Sequence, residues 1–223
     1  MGKAVCVISG GMDSALSAYM AKEAGNEIVA LHFNYGQRTV RKELECFYKI
    51  VEDLGISTYY AIDLPFFEKI GASALIDREL EIPQNGIVPG VPVTYVPFRN
   101  GIFLSIAAAI AEKHKADSIY IGVVEEDSSG YPDCRAEYIG SMQRSIDLGT
   151  KNETKISIVT PLIDMSKADI VTKAVSMGVR LEHTWSCYSK EDCACGVCDS
   201  CRLRLRGFER AGMKDPIPYC AKG

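Results

Sequence analysis

Two stretches of this chain hold residue types at spacings that do chemistry. Near the start, Ser9-Gly10-Gly11-Met12-Asp13-Ser14 gathers two hydroxyls, a carboxylate and paired glycines. Paired glycines let the backbone approach an anion closely, and a helix that follows offers unpaired N–H groups with a favourable dipole. The plainer use of such a string is a strand-to-helix turn with Asp13 or Ser14 as the cap. It is not a Walker A loop, since no Gly-Lys-Ser/Thr follows, and it lacks the three-glycine dinucleotide spacing. Near the end, Cys195-Gly196-Val197-Cys198-Asp199-Ser200-Cys201 sets thiols at every third position, with Cys187 upstream. Tetrahedral zinc takes four soft ligands, and four thiolates with no open position form a structural site. Cys193 competes with Cys187 for the fourth place, and Cys187 is preferred because a Cys-x-Cys bite on one ion is more strained. A redox Cys-x-x-Cys pair and an iron–sulfur cluster are the alternatives.

Further strings carry more polar chemistry than packing needs. They are Asn34-Tyr35-Gly36-Gln37-Arg38, Val96-Pro97-Phe98-Arg99-Asn100-Gly101, and the acidic run Glu125 to Arg135 that includes Asp127, Tyr131, Asp133 and Arg135. Each has a plain reading, as a turn, a helix cap or a solvated loop. Together they offer an aromatic ring for a flat heterocycle, carboxylates to accept from ring N–H and amine groups, and arginines to hold a carboxylate. Such a set describes a site for a purine-like acid, with Asp127 and Asp133 both able to read the base.

These strings need elements to position them. Ala4 to Ile8 is a continuous apolar run that reads as a buried parallel strand ending at the loop. A helix follows to Gly25, then a strand from Ile28 to Asn34, a helix from Val40 to Leu54 and a strand from Thr58 to Asp63. The alternation predicts an α/β fold, a doubly wound parallel sheet covered on both faces. Residues 64–98, rich in Pro and Gly, read as a loop-rich insertion. A helix from Asn100 to Lys115, a strand from Ser118 to Gly122, a helix near Glu137 to Leu148, a strand from Ile156 to Val159 and a helix from Lys167 to Met177 complete the pattern. Beyond Arg180 the alternation stops. The expected organisation is one domain over residues 1–180 and a small C-terminal zinc-binding appendage over 181–223, too short to own a core and fastened by its metal.

Composition sets the outer limits. In 223 residues, 25 Lys+Arg against 29 Asp+Glu give a net charge of −4, so no general basic field exists to hold a nucleic acid. The apolar stretch 101–111 falls well short of the ~20 residues that span a bilayer, and the opening residues do not read as a signal peptide. Nine cysteines in such a chain point to a reducing compartment rather than a disulfide framework. Cys6, Cys46, Cys134 and Cys220 are expected to be packing residues, and Cys193 has no assigned role.

Ser-Gly-Gly-Met-Asp-Ser at the end of the first strand resembles the motif of the ATP pyrophosphatases, the PP-loop family. That resemblance implies an adenine nucleotide alpha hydrolase-like fold in which Ile8, Ser9, Gly10, Gly11, Met12, Asp13, Ser14, Ala15 and Leu16 hold ATP and the α–β bond is split. Asp13 would help place Mg²⁺ or the phosphates, and Lys167, in Pro161-Leu162-Ile163-Asp164-Met165-Ser166-Lys167, looks like the family's distal lysine. With the polar strings above and His183-Thr184-Trp185-Ser186-Cys187-Tyr188, the order over nearly the whole chain is similar to that of the 7-cyano-7-deazaguanine synthases.

The likeness implies that 7-carboxy-7-deazaguanine, ATP and free ammonia are turned into a nitrile on the route to queuosine, in a cytoplasmic homodimer with no nucleic-acid or membrane partner. Asp13, Lys167 and Arg99 would be catalytic. Tyr35, Gln37, Arg99, Asp127, Tyr131, Asp133 and Arg135 would bind substrate, and Cys187, Cys195, Cys198 and Cys201 a structural zinc. Two competing readings are a tRNA thiolase of the same superfamily and a non-enzymatic zinc-ribbon module. The thiolase needs a basic face, and Arg202, Arg204, Arg206 and Arg210 are expected to be only a solvated helix face. The zinc-ribbon reading leaves the phosphate loop unexplained.

Overall fold

Apolar runs with both faces to cover become parallel strands, and the crossovers that cover them become helices. The computed structural model describes residues 2–84, 86, 90–125 and 130–221. In it β1 (Lys3–Val7), β2 (Glu27–Asn34), β3 (Thr58–Asp63), β4 (Ser118–Ile121) and β5 (Ser157–Val159) form one parallel sheet in the order β3-β2-β1-β4-β5. Val5 of β1 lies opposite Val29 of β2 and Ile119 of β4. Strand order reverses at β1, so the crevice between β1 and β4 is the switch point where an open α/β sheet takes its ligand.

The crossovers include α1 (Met12–Glu23), α2 (Val40–Asp53), α4 (Arg99–His114), α5 (Ala136–Gly149) and α6 (Lys167–Ser176). Val5, Val7, Val29 and Leu31 face Phe103, Leu104 and Ala107 of α4 and Ile139 and Ile146 of α5. Their chain neighbours Ala4, Cys6, Ile28 and Ala30 face the other way, against Leu16 of α1, Phe47 of α2 and Ile170 of α6. Burying each large aliphatic side chain contributes about 1.5–3 kcal/mol, so these two layers fix where α1, α4 and α6 begin. The described part of residues 64–98 is loop apart from the short α3 (Phe66–Ile70), yet Leu64, Phe67, Leu75 and Val96 sit in the core.

The C-terminal segment has no core to itself: Trp185, Cys187, Ala194, Cys201 and Ile217 pack with Cys46 of α2 and with Ala74 and Ile82 of the loop region. It departs from expectation in two ways. Its helix α7 (Asp199–Arg210) does not carry a wholly solvated arginine face, since Arg204 is only 2% exposed. Arg204 donates from Nε to Asp215 Oδ2 at 2.7 Å and from Nη2 to Asp215 Oδ1 at 3.0 Å, and from Nη1 to Thr184 Oγ1 at 2.8 Å. A buried guanidinium is tolerable only with this degree of pairing. Finally, Cys193 and Cys220 are joined by a disulfide across 27 residues, against the expectation of a chain without one and of Cys220 as a packing residue. The backbone brings them together: Ala194 donates to Pro218 O at 2.8 Å and Cys220 to Ala194 O at 2.9 Å. Among the described residues no helix is long and apolar enough to cross a membrane.

Candidate active site

The loop from Ser9 joins β1 to α1 at the carboxyl edge of the sheet. Gly10 has φ +89°, and a Cβ there would lie 2.5 Å from Glu43 O, so only glycine fits beside α2. Ser9 N–H donates to Ser14 Oγ at 3.1 Å, and Ser14 Oγ donates to Gly11 O at 3.0 Å, which folds the loop back over the start of α1. Gly11 is the N-cap and brings no side-chain cap, leaving the first-turn N–H groups of α1 at the rim of a cavity of about 270 Å³. From the other side Trp185 N–H donates to Gly10 O at 2.9 Å, tying the C-terminal segment to the loop.

Lys167 is the first residue of α6, held there by a capping box in which Ser166 and Asp169 satisfy each other's backbone N–H. Its Nζ donates to Asp13 Oδ2 at 2.5 Å. Asp13 Oδ1 is buried with no hydrogen-bond partner. A carboxylate oxygen left bare beside an anion loop suits a hard divalent cation.

Opposite the loop, Arg99 opens α4 just after Phe98, whose φ of 54° is a left-handed conformation rare for an aromatic residue. Arg99 Nη1 donates to Tyr35 OH at 2.9 Å, and its guanidinium carbon lies 5.3 Å from the Tyr35 ring and 5.8 Å from that of Phe103. Its Nε is buried without a partner, and among the described residues it forms no ion pair. Burial pushes the Tyr35 phenol up to about 12, so it stays neutral. A half-buried cation of fork geometry that faces a cavity is suited to a carboxylate ligand.

The expected residues divide as follows. Ile8, Ser9, Gly11, Met12, Asp13, Ser14, Tyr35, Gln37, Arg99, Tyr131 and Lys167 line the one cavity. Gly10 shapes the loop without lining it, and Ala15 and Leu16 lie fully buried in the sheet-facing core, because α1 turns them away from its open end. Asp133 is buried but off the cavity wall, with Oδ2 accepting Asn100 N–H at 2.9 Å, so it fixes the start of α4. Arg135 is exposed and donates from Nε to Pro132 O at 3.2 Å. Asp127 lies outside the described residues.

Among the cavity-lining side chains that sequence reasoning did not assign are Glu43, Trp185 and Tyr188. The aromatic pair around Cys187 was a visible signal. Glu43 was hidden in the charged run Arg41 to Glu45, where nothing marks one carboxylate as inward. Its Oε1 accepts from Thr39 Oγ1 at 2.7 Å and its Oε2 from Gln37 Nε2 at 3.1 Å. Burial raises its pKa, against the hydrogen bonds from Thr39 and Gln37 and the charge of Arg99, which lower it.

The thiols of Cys187, Cys195, Cys198 and Cys201 lie within 4.8 Å of one another. Cys195 N–H donates to Cys187 Sγ at 3.3 Å and Cys198 N–H to Cys195 Sγ at 3.4 Å, the arrangement in which backbone turns steady thiolates around one ion. The cluster can hold a metal, and none of its thiols lines the cavity.

Comparison with known proteins agrees in family. The profile of the family described as Queuosine biosynthesis protein QueC matches residues 3–212. A 7-cyano-7-deazaguanine synthase of Sulfurovum sp. (strain NBC37-1) is 70% identical over 217 residues, covering 97% of this chain and 98% of the relative. One of Nautilia profundicola is 60% identical over 222 residues, the full length of both. Among solved structures, a 4-thiouridine synthetase in complex with RNA and ATP matches with a TM-score of 0.55 at 20% identity, covering 95% of this chain and 50% of the other. A likeness that low in identity speaks for the fold alone.

Proposed function

Since this chain belongs to the family of queuosine biosynthesis protein QueC, we propose that it uses ATP to convert 7-carboxy-7-deazaguanine and ammonia into 7-cyano-7-deazaguanine. The activity named for its 60–70% identical relatives supports this. The observation that carries the reading is one cavity that joins an uncapped phosphate loop to the half-buried, carboxylate-seeking Arg99.

The chemistry follows from what a carboxylate lacks. Its carbon is a poor electrophile, so the loop, the α1 N-terminus and Lys167 would hold ATP with its α-phosphorus toward the acid oxygen that Arg99 presents. The carboxylate oxygen bonds to the α-phosphorus and pyrophosphate departs. Ammonia then attacks the acyl carbon, and AMP leaves with the electron pair of the C–O bond, giving the amide. A second ATP activates the amide oxygen in the same way, and loss of AMP and the remaining N–H protons yields the nitrile. Lys167 and the loop N–H groups offset the charge that gathers on the departing phosphates. Tyr35, Trp185 and Tyr188 supply flat faces for the deazapurine, and Gln37 and Tyr131 supply polar contacts. Asp133 would act through Asn100 and the start of α4 rather than by touching the base. The reading keeps Asp127, which lies outside the described residues, and Arg135 as substrate-binding residues.

Mg²⁺ would be held by Asp13, whose bare Oδ1 suits it, and would neutralise phosphate charge. Zinc would be held by Cys187, Cys195, Cys198 and Cys201 and would fasten the segment 181–223 to the nucleotide-binding domain 1–180. The tRNA thiolase alternative loses support because the clustered thiols lie off the cavity. The reading extends to a cytoplasmic homodimer.

The test is direct. Purified, metal-loaded protein incubated with the carboxy-deazaguanine, MgATP and ammonium should yield the nitrile and AMP by mass spectrometry. A folded, metal-loaded protein that makes neither would end the proposal.

A further inference from the structure

Nitrile formation strips every proton from the incoming nitrogen. Ammonium gives up one to become the nucleophile, the attacking nitrogen sheds another as the amide forms, and the amide loses its last two as AMP leaves. None of the groups already given a role accepts these protons readily. Lys167 and Arg99 are cations, and Asp13 is paired with Lys167 beside the phosphate loop. Among the described residues, only two carboxylates line the cavity, Asp13 and Glu43.

Resting on the functional reading above, we propose that Glu43 is the proton acceptor for the nitrogen, taking a proton from ammonium or the attacking amine and again from the adenylated amide. Its placement supports this. Glu43 lies on the first turn of α2 and is held by Thr39 and Gln37. Gln37 is fixed in turn, since its Oε1 accepts Tyr35 N–H at 2.8 Å. Tyr35 bonds Arg99 through its hydroxyl, so the chain Glu43–Gln37–Tyr35–Arg99 runs along one wall and links the carboxyl to the group expected to hold the reacting carboxylate. Both bonds reach Glu43 from neutral donors, and each carboxylate oxygen can accept more than one hydrogen bond, so a nitrogen in the cavity can still be received. Burial raises the carboxyl's proton affinity, which brings it closer to that needed at neutral pH. The accepted proton passes to solvent before the next is taken, so the balance closes with AMP carrying away the C–O electron pair each time.

The test separates steps that need nitrogen from the one that does not. Acid-dependent exchange of pyrophosphate into ATP reports adenylation alone, and ammonium-dependent nitrile formation reports the rest. In Glu43→Gln, exchange should stay within about twofold of wild type while nitrile formation falls by about 10²–10⁴-fold, the usual worth of a positioned base. At constant free ammonia, wild-type nitrile formation should decline as pH falls and Glu43 protonates, and the variant should lack that limb.

The charged and titratable groups around Glu43 are Arg99 of α4, Tyr35 after β2, Cys46 on its own helix, whose thiol burial pushes up to about 11, and Glu191 of the C-terminal segment. Arg99 and Tyr35 do not titrate over the neutral range, and Glu191→Gln should leave the limb in place. Glu43→Asp should recover part of the rate, and it carries the test if the Gln variant does not fold. Equal loss of exchange and nitrile formation in Glu43→Gln would make Glu43 a base reader or a structural group and overturn the proposal. So would an unchanged pH limb. If the wild-type protein exchanges pyrophosphate but makes no nitrile, it is the functional reading that fails.

Discussion

Arg99 shows how much of the site rests on single side chains. It is half-buried against Tyr35 and Phe103 with its buried Nε unpartnered, an arrangement that costs stability unless a ligand completes it. Arg99→Lys keeps the charge and loses the fork, so the carboxylate should be held by one contact in place of two. Its kcat/KM for the carboxy-deazaguanine should fall by about 10²-fold, near 2.7 kcal/mol, while KM for ATP changes little, as steady-state kinetics would show. A lysine variant of wild-type efficiency would remove Arg99 from the site. At this scale the sequence was informative where residues stood next to a strand end. Asp13, Tyr35 and Gln37 were named from such positions, and Arg99 from a helix start. Glu43 and Arg204 were not, because burial depends on which helix face meets which neighbour, and a charged run read locally always reads as solvated. The Cys193–Cys220 pairing was equally hidden, since a 27-residue separation says nothing about proximity.

At the scale of elements, the helix starts matter most. α1 opens uncapped at the phosphate loop, α4 delivers Arg99 and α6 delivers Lys167. The position of α6 is set by α7, because a Cβ on Gly207 would lie 2.9 Å from Lys167 Cβ and 3.0 Å from Lys167 O. A side chain there must push the helices apart. Gly207→Val should therefore lower the pyrophosphate-exchange rate by about tenfold and stability by about 1–3 kcal/mol, with Gly207→Ala milder in both. Urea unfolding and exchange assays on the two variants measure this, and an unimpaired Val variant would free Lys167 from α7. The strands and most helices were legible to within one or two residues, since period and flanking glycines mark them. The contact of α7 with α6 was not, because the residues that meet there, Lys167 and Gly207, stand 40 positions apart in sequence.

Across the whole molecule, the thiol cluster does more than end the chain. Trp185, two residues before Cys187, bonds Gly10 O, while Ser200, Leu203 and Arg204 of α7 line the cavity. Removing the metal with a chelator should loosen residues 185–210 in hydrogen exchange while β1, β2 and β4 stay protected. Pyrophosphate exchange should fall with that loosening. Retained exchange in the metal-free protein would show that the segment is only an appendage. The fold class and the four thiols could be read from alternation and spacing. That the two regions share one core and one cavity could not, since it depends on how 181–221 lies against the sheet domain.

In the proposed reaction one cavity adenylates the same carboxyl-derived group twice. The measurement that reaches it most directly is the stoichiometry of a reaction with heavy-nitrogen ammonium and limiting 7-carboxy-7-deazaguanine. Mass spectrometry should find the heavy atom in the nitrile, with two AMP and two pyrophosphate released for each nitrile formed and the amide as an intermediate. Nitrile made with one AMP, with ADP in place of AMP, or without the heavy nitrogen would rule out double adenylation in this cavity.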